Sequence, residues 1–274
     1  MSYFKSTNSI NFTMKYNYIS WIFCFAYIIF SNIGCKSVAS ENSEPGDTLK
    51  ILSYNVRNCK GLDNRTDYKR VGDIISRIDA DFVALQELDS ATDRSNKVVV
   101  LNELAIQTRM HPTYSSSISY QGGKYGIGIL TKEKPIGSEA VPLPGKEEKR
   151  SLLILEMEKY VICCTHFSLT QADRITSVDI IANAMKKYSK PVFLAGDFNA
   201  ETGSTEMKNI VKDWIIINNP SQPTIPANDP KKCIDFVLVK KSPNYQVEII
   251  KSVVENEPVA SDHLPVWVKI RISK

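Results

Sequence analysis

The sequence predicts an α/β protein whose core is two mixed or largely antiparallel β-sheets packed together, with helices outside. Three observations carry this expectation. Apolar runs alternate with a helix-period pattern at the start of the folded region; strand-like runs far outnumber long helical patterns; and several strands follow one another with no helix between, which an all-parallel sheet does not allow. Composition agrees. A chain of 274 residues, 43 % hydrophobic and 23 % charged, can bury a large core and is neither low-complexity nor disordered. A coiled coil, a collagen and a disordered tail are excluded.

The first 35 residues read as an export signal. Lys5 and Lys15 precede an apolar run at 19–30, shorter than the roughly 20 residues a membrane span needs. Its end, Asn32-Ile33-Gly34-Cys35, resembles the lipobox of bacterial lipoproteins, in which the cysteine is acylated, although Asn32 stands where an aliphatic residue is usual. Export with a lipid on Cys35, leaving the protein membrane-anchored or at the cell surface or in the periplasm, is the expectation. An uncleaved anchor is the alternative. Residues 36–48, rich in Ser and Glu, then form a flexible tether to a domain over 49–274.

Within that domain, residues 51–56 read as a strand. Val71, Ile74, Ile75 and Ile78 recur at i, i+3, i+4 and i+7 as one helix face, and 82–85 is a second strand, completing a β-α-β unit. Further helices are expected over 97–110 and over 172–187, the latter with Ile175, Val178, Ala182 and Met185 on one stripe. Strands are expected at 128–131, 152–157, 161–165, 192–195, 234–239, 247–254 and 266–272. No internal repeat or composition break marks a second domain.

Charge argues mildly about partners. The chain has 34 basic and 30 acidic residues; without Lys5 and Lys15 the balance is 32 against 30. That lacks the footprint of a dedicated nucleic-acid binder, which neutralises many phosphates at once. Beyond Cys24 and Cys35, four cysteines remain at 59, 163, 164 and 233. Two disulfides are arithmetically possible, but Cys163 and Cys164 are neighbours on a strand and point to opposite faces, so packing is the preferred reading. Cys164 and His166 share a face, yet two ligands do not make a zinc site.

The polar residues at strand ends are the informative ones. Asn55 ends the first strand, Glu87 the 82–85 run, His166 the 161–165 run, and Asp197 follows 192–195. Asp235 opens a strand, and Asp262-His263 precede another. If the last two strands run opposite to the first four, all these positions meet on one rim. Each residue alone has a structural explanation, as a turn, a cap or a solvated end; the joint pattern does not. His111, before Pro112 in a helix-to-strand loop, is read as structural.

The residue types select a chemistry. Oxygen donors from Glu87, Asp262 and the Asn55 amide suit Mg²⁺ or Mn²⁺ better than zinc. Two histidines add proton transfer near neutral pH and positive charge for an anionic transition state. Together they point to metal-assisted hydrolysis of a phosphate ester. Fingerprints for nucleotide cradling, acyl transfer, zinc proteolysis and dinucleotide binding are absent.

These residues also carry a resemblance. SYNVRN (53–58), LQELD (85–89), CTHFSL (164–169), AGDFNA (195–200), CIDFVLV (233–239) and ASDHLPV (260–266) resemble, in order and rough spacing, the motifs of the endonuclease/exonuclease/phosphatase superfamily. That superfamily includes deoxyribonuclease I, abasic-site endonucleases, bacterial sphingomyelinases and inositol-polyphosphate phosphatases. The resemblance covers 49–272 and implies a four-layer α/β sandwich with a divalent metal at one rim. It implies Glu87 as principal metal ligand with Asn55 and Asp262 beside it. Asp197 and Asn199 would orient the attacking water and hold a phosphate oxygen, His166 would donate to the phosphoryl group, and Asp235-His263 would form a carboxylate-imidazole pair. Residues 121–126 and 142–150 further resemble the hydrolase-like domain of glycosylphosphatidylinositol-anchor remodelling proteins, with Ile127 where many members carry Asn. There Tyr125 is a phosphate contact or a packing aromatic, and Arg150 a substrate clamp or a solvated charge.

The expected function is an exported phosphodiesterase or phosphatase, with a lipid-linked or small phosphoester preferred. A secreted nuclease of the same fold and a non-catalytic binding module are the alternatives.

Overall fold

Leu49 and Ile51 lie in one apolar cluster while Leu52 and Tyr54, on the other face of the same strand, lie in another. The computed structural model describes residues 47–273, and three such clusters separate four layers within them. β1 (Asp47–Asn55), β2 (Phe82–Ser90), β3 (His111–Tyr120) and β4 (Gly123–Thr131) join β11 (Gln246–Val254) and β12 (Val266–Ser273) in one six-stranded sheet, in the order β11-β12-β1-β2-β4-β3. The second sheet comprises β5 (Gly137–Leu143), β6 (Arg150–Glu156), β7 (Val161–His166), β8 (Val192–Asp197), β9 (Trp214–Ile216) and β10 (Asp235–Lys240), ordered β5-β6-β7-β8-β10-β9. Ile51, Phe82 and Val268 of the first sheet meet Leu155, Phe193 and Val237 of the second in the central core. α1 (Tyr68–Ile78) and α2 (Val100–Thr108) cover the outer face of the first sheet, α3 (Gln171–Ala184) and α4 (Thr205–Ile210) that of the second. This is the four-layer α/β sandwich, and both sheets are mixed.

Each sheet holds one parallel pair, β1-β2 and β7-β8, each joined by a helical crossover, and every other pairing is antiparallel. β12 runs against β1 and β10 against β8. The C-terminal ends of β1, β7 and β8 therefore share a rim with the beginnings of β10 and β12.

The local sequence explains the helix boundaries. Asp67 caps α1, its side chain accepting from Arg70 N–H, and Asp79 ends it in the left-handed region. α2 begins at Val100, three residues later than its pattern suggests, because residues 91–99 close a turn in which Ala91 N–H reaches the Val98 carbonyl. In α3 the buried stripe is Val178, Ile181 and Met185, the last in a single 3-10 turn, with Ile175 and Ala182 only half-buried. β1 begins at Asp47, so two residues expected in the tether are paired with β12. His111 opens β3 rather than sitting in a loop. Three strands outside the expected set, β3, β5 and β9, are edge strands; β3 and β5 are largely half-exposed or exposed and need no apolar run, whereas β9 lies in the short apolar run 214–217. The export segment and most of the tether lie outside the described residues. Cys59, Cys163, Cys164 and Cys233 are free and buried; Cys163 faces the helices and Cys164 the central core.

Candidate active site

Asp197 is the node of the rim. As the last residue of β8 it is the lateral neighbour of His166 on β7 and of Asp235 on β10. Its Oδ2 accepts from Asn55 Nδ2 at 3.1 Å and lies 3.4 Å from His166 Nε2 and 3.7 Å from His263 Nε2. Its Oδ1 accepts from the Asn199 backbone N–H at 2.9 Å. The strands approach closely here through Gly196, where a Cβ would meet the Thr165 carbonyl oxygen at 2.1 Å. Burial pushes the Asp197 carboxyl up, with the His263 charge opposing.

His263 completes a buried chain. Its Nδ1 lies 2.9 Å from Asp235 Oδ2, which also accepts from Thr224 Oγ1 at 2.5 Å. Thr224 turns back on the same loop by accepting from Ile234 N–H. Burial works against the imidazolium, but the Asp235 and Asp197 carboxylates and the hydrogen bond to Asp235 outweigh it and push the His263 pKa up to about 10. His263 is thus cationic at neutral pH. Ser261 ties its backbone to the first sheet, accepting from His263 N–H and donating to the Asn55 carbonyl at 2.7 Å.

Glu87 departs from the expected placement. It does not end a strand: β2 continues to Ser90, and Glu87 sits at a bulge between Leu85 and Leu88, with φ 61°. The bulge turns its carboxylate to the rim, where Oε1 accepts from Asn55 Nδ2 at 3.0 Å. Asn55 also differs. Its amide nitrogen, not its oxygen, faces the carboxylates, while Oδ1 accepts from Arg57 N–H at 3.1 Å. Asn199 spends its Nδ2 on the Phe167 carbonyl at 2.9 Å, tying the ends of β7 and β8 together. Asp262 stands apart from the buried group: it is half-exposed, with Arg57 Nε 3.8 Å away.

Arg150 is buried rather than solvated. Nη1 lies 3.0 Å from His166 Nδ1 and 2.6 Å from Glu148 Oε1, and Nη2 reaches Glu147 Oε1 at 3.3 Å. Burial and the Arg150 charge hold the His166 pKa well below its usual value, so this ring is neutral. Tyr125 is half-buried under the Arg94 guanidinium, 5.5 Å from its carbon, and Arg94 is clamped on the buried Asp89 carboxylate. Burial and the nearby Glu87 and Glu148 charges raise the Tyr125 hydroxyl, which stays protonated.

Thr224, Glu147 and Glu148 escaped the sequence reading. A lone loop threonine and a pair of glutamates among lysines carry no periodic or motif signal. Ser261, by contrast, lies inside a quoted motif.

The donor set fits a hard divalent cation. Glu87, Asp197 and Asp235 bring three carboxylates against one cationic and one neutral histidine, a surplus of negative charge. Potential ligating atoms of Asp197, Asp235 and His263 lie within 4.8 Å of one another; His263, holding both ring protons, leaves the carboxylates as the oxygen donors, and Asp235 Oδ1 is buried without a hydrogen-bond partner. Oxygen-dominated donors of this kind suit Mg²⁺ or Mn²⁺.

Comparison with known proteins agrees with this architecture. The sequence model of the Endonuclease/Exonuclease/phosphatase family matches residues 52–263. No curated protein matches in sequence. Among solved structures, an endonuclease/exonuclease/phosphatase from Beutenbergia cavernae DSM 12333 superposes with TM-score 0.69 at 19% identity, covering 82% of this chain and 72% of that one. A humanised D. rerio TDP2 gives 0.63 at 19%, covering 82% and 99%. The Bacteroides thetaiotaomicron VPI-5482 mannosyl-6-phosphatase gives 0.60 at 15%, covering 82% and 100%.

Proposed function

The chain belongs to the endonuclease/exonuclease/phosphatase family, a family of hydrolytic phosphoesterases and nucleases, and on that premise we propose that it is a Mg²⁺- or Mn²⁺-dependent phosphoesterase acting on a lipid-linked or small phosphate ester. The observation that carries the reading is the buried Asp197 carboxylate held between His166, His263 and Asn55, with Glu87 beside it.

Glu87 would hold the cation, which supplies Lewis-acid polarisation of the phosphoryl group when bound. The chain's own residues do the rest. Asp197 orients the attacking water and, because burial has raised its carboxyl pKa to about 7, takes the water proton as the new P–O bond forms and the ester P–O bond breaks, the departing oxygen taking its proton from bulk water. His263, cationic and braced by Asp235, lies where it stabilises charge growing on the phosphoryl oxygens. His166 presents a neutral ring to the same place. Asn55 holds Glu87 and Asp197 at fixed separation through one amide nitrogen. Arg57 beside Asp262 and Tyr125 beside Glu87 flank the rim as substrate contacts.

The near-neutral balance of 32 basic against 30 acidic residues without Lys5 and Lys15 supports the small or lipid-linked substrate over nucleic acid. Export and a lipid on Cys35 belong to the same proposal; palmitate labelling that disappears in Cys35→Ser tests them. The activity test is turnover of p-nitrophenyl phosphate, bis-p-nitrophenyl phosphate and plasmid DNA, each with Mg²⁺ and with chelator. We expect metal-dependent release of nitrophenol from an ester and intact plasmid. Rapid nicking would move the substrate to nucleic acid. Silence on all three with metal present would leave a binding module and end the catalytic reading.

A further inference from the structure

We propose that Arg150 is a positioning residue that locks His166 as the Nε2–H tautomer and aims that N–H at the Asp197 carboxylate, so that His166 serves the reaction as a neutral hydrogen-bond donor. The inference goes beyond a substrate clamp, and its kinetic part rests on the phosphoesterase reading above.

The geometry carries it by elimination. A guanidinium has only donors. Arg150 Nη1 stands 3.0 Å from His166 Nδ1, so Nδ1 must be the accepting, unprotonated nitrogen. The ring proton is then on Nε2, and Nε2 is the atom 3.4 Å from Asp197 Oδ2. His166 and His263 thus play opposite parts around one carboxylate: His263 is backed by the Asp235 carboxylate and His166 by a guanidinium.

Arg150 is itself held in place and kept from a substrate. Its side chain is 5% exposed. Nη1 is paired with Glu148 Oε1 at 2.6 Å as well as with His166, and Nη2 with Glu147 Oε1. Glu147 in turn staples the segment after His166, accepting from Leu169 N–H at 2.6 Å, Ser168 Oγ at 3.0 Å and Thr170 Oγ1 at 3.3 Å. The ring is therefore fixed from two sides, by Arg150 at Nδ1 and by Glu147 through the backbone that follows it. A side chain so enclosed acts through its neighbours.

The test has two arms. Nitrogen-15 NMR of histidine-labelled protein reads tautomers directly, and only His111, His166 and His263 need assignment. We expect His166 neutral and protonated at Nε2 in the wild type; an Nδ1–H tautomer or an imidazolium at neutral pH overturns the proposal whatever the protein hydrolyses. In the second arm, Arg150→Met is expected to lower kcat by about 10- to 100-fold, the range a misaimed catalytic group produces, with KM within about twofold. Arg150→Lys, which keeps a donor-only cation, is expected to recover most of the loss and the Nε2–H signature. A raised KM with kcat intact would make Arg150 a substrate ligand and refute the positioning role. Should Arg150→Met fail to fold, Glu147→Ala removes the staple while leaving Arg150, and a kcat and tautomer signature both unchanged in it would count against the mechanism. Wild-type protein inactive on every phosphoester, with the NMR signature intact, would defeat the functional reading alone.

Discussion

Replacing Asp235 with Asn isolates the electrostatics of the buried chain. The substitution keeps the shape, and its amide oxygen can still accept from both Thr224 Oγ1 and His263 Nδ1, which now stand 2.5 Å and 2.9 Å from Asp235 Oδ2. What disappears is the nearer of the two carboxylates that hold the His263 pKa at about 10 against an ordinary 6.5. At about 1.36 kcal/mol per pH unit, that gap is a net stabilisation of the cationic form of roughly 5 kcal/mol, after the opposing cost of burial. Asp235 supplies the larger share, so a loss of about 3 kcal/mol is expected, in line with about 3–5 kcal/mol for removing one partner of a buried pair. The sign follows from linkage. A histidine whose pKa is higher folded than unfolded contributes its full stabilisation below the unfolded value and loses it as pH rises through the folded value. The variant should therefore be less stable than the wild type by about 3 kcal/mol near pH 6, with the difference shrinking toward zero by about pH 10.5. Urea denaturation of both proteins with chelator present, at several pH values across that window, measures it; other titrating groups cancel in the difference. A gap that is constant with pH, or grows as pH rises, would refute the assignment of a cationic His263 braced by Asp235.

Other expectations follow from the same geometry. His263→Ala and Asp197→Ala should each lower turnover about 10²-fold or more with unchanged circular dichroism, since general acid and base groups contribute 10²–10⁴; near-normal rates would defeat their roles. Glu87→Gln should raise the Mg²⁺ concentration for half-maximal activity at least about 10-fold, with much of the rate recovered at saturating metal, as a metal titration of initial rates reports. Phe198 stacks edge-on with Phe167 at 4.9 Å and Phe236 at 5.7 Å directly behind Asp197, so Phe198→Ala should cost about 3–5 kcal/mol by denaturant midpoint.

Much of the molecule is legible in its sequence. The central strands announce themselves because each is buried on both faces, as with β7 and β8, and so reads as an unbroken apolar run. β3 did not, because an edge strand of Ser, Tyr and Thr is specified by its partner β4 rather than by its own pattern. The rim residues were visible as polar side chains ending apolar runs. Their orientations were not. Nothing in LQELD reveals that Glu87 lies on a bulge with positive φ, since the bulge arises from a register shift against β4. Nor does the sequence say which atom of the Asn55 amide faces the carboxylates.

That the strand ends gather on one rim follows from β12 running against β1 and β10 against β8; the amino-acid order decides which side chains are available, which strands they terminate and which face of a strand each lies on. Those are local properties, settled by steric periodicity and solvent. What the folded chain alone decides is the charge state of the groups. His166 and His263 begin as the same imidazole, and only the three-dimensional neighbourhood sets a guanidinium against one and a carboxylate against the other. Coulomb energies depend on separations of a few ångströms and on how little water lies between, and residues such as 150 and 166, or 235 and 263, acquire those separations only when both sheets close.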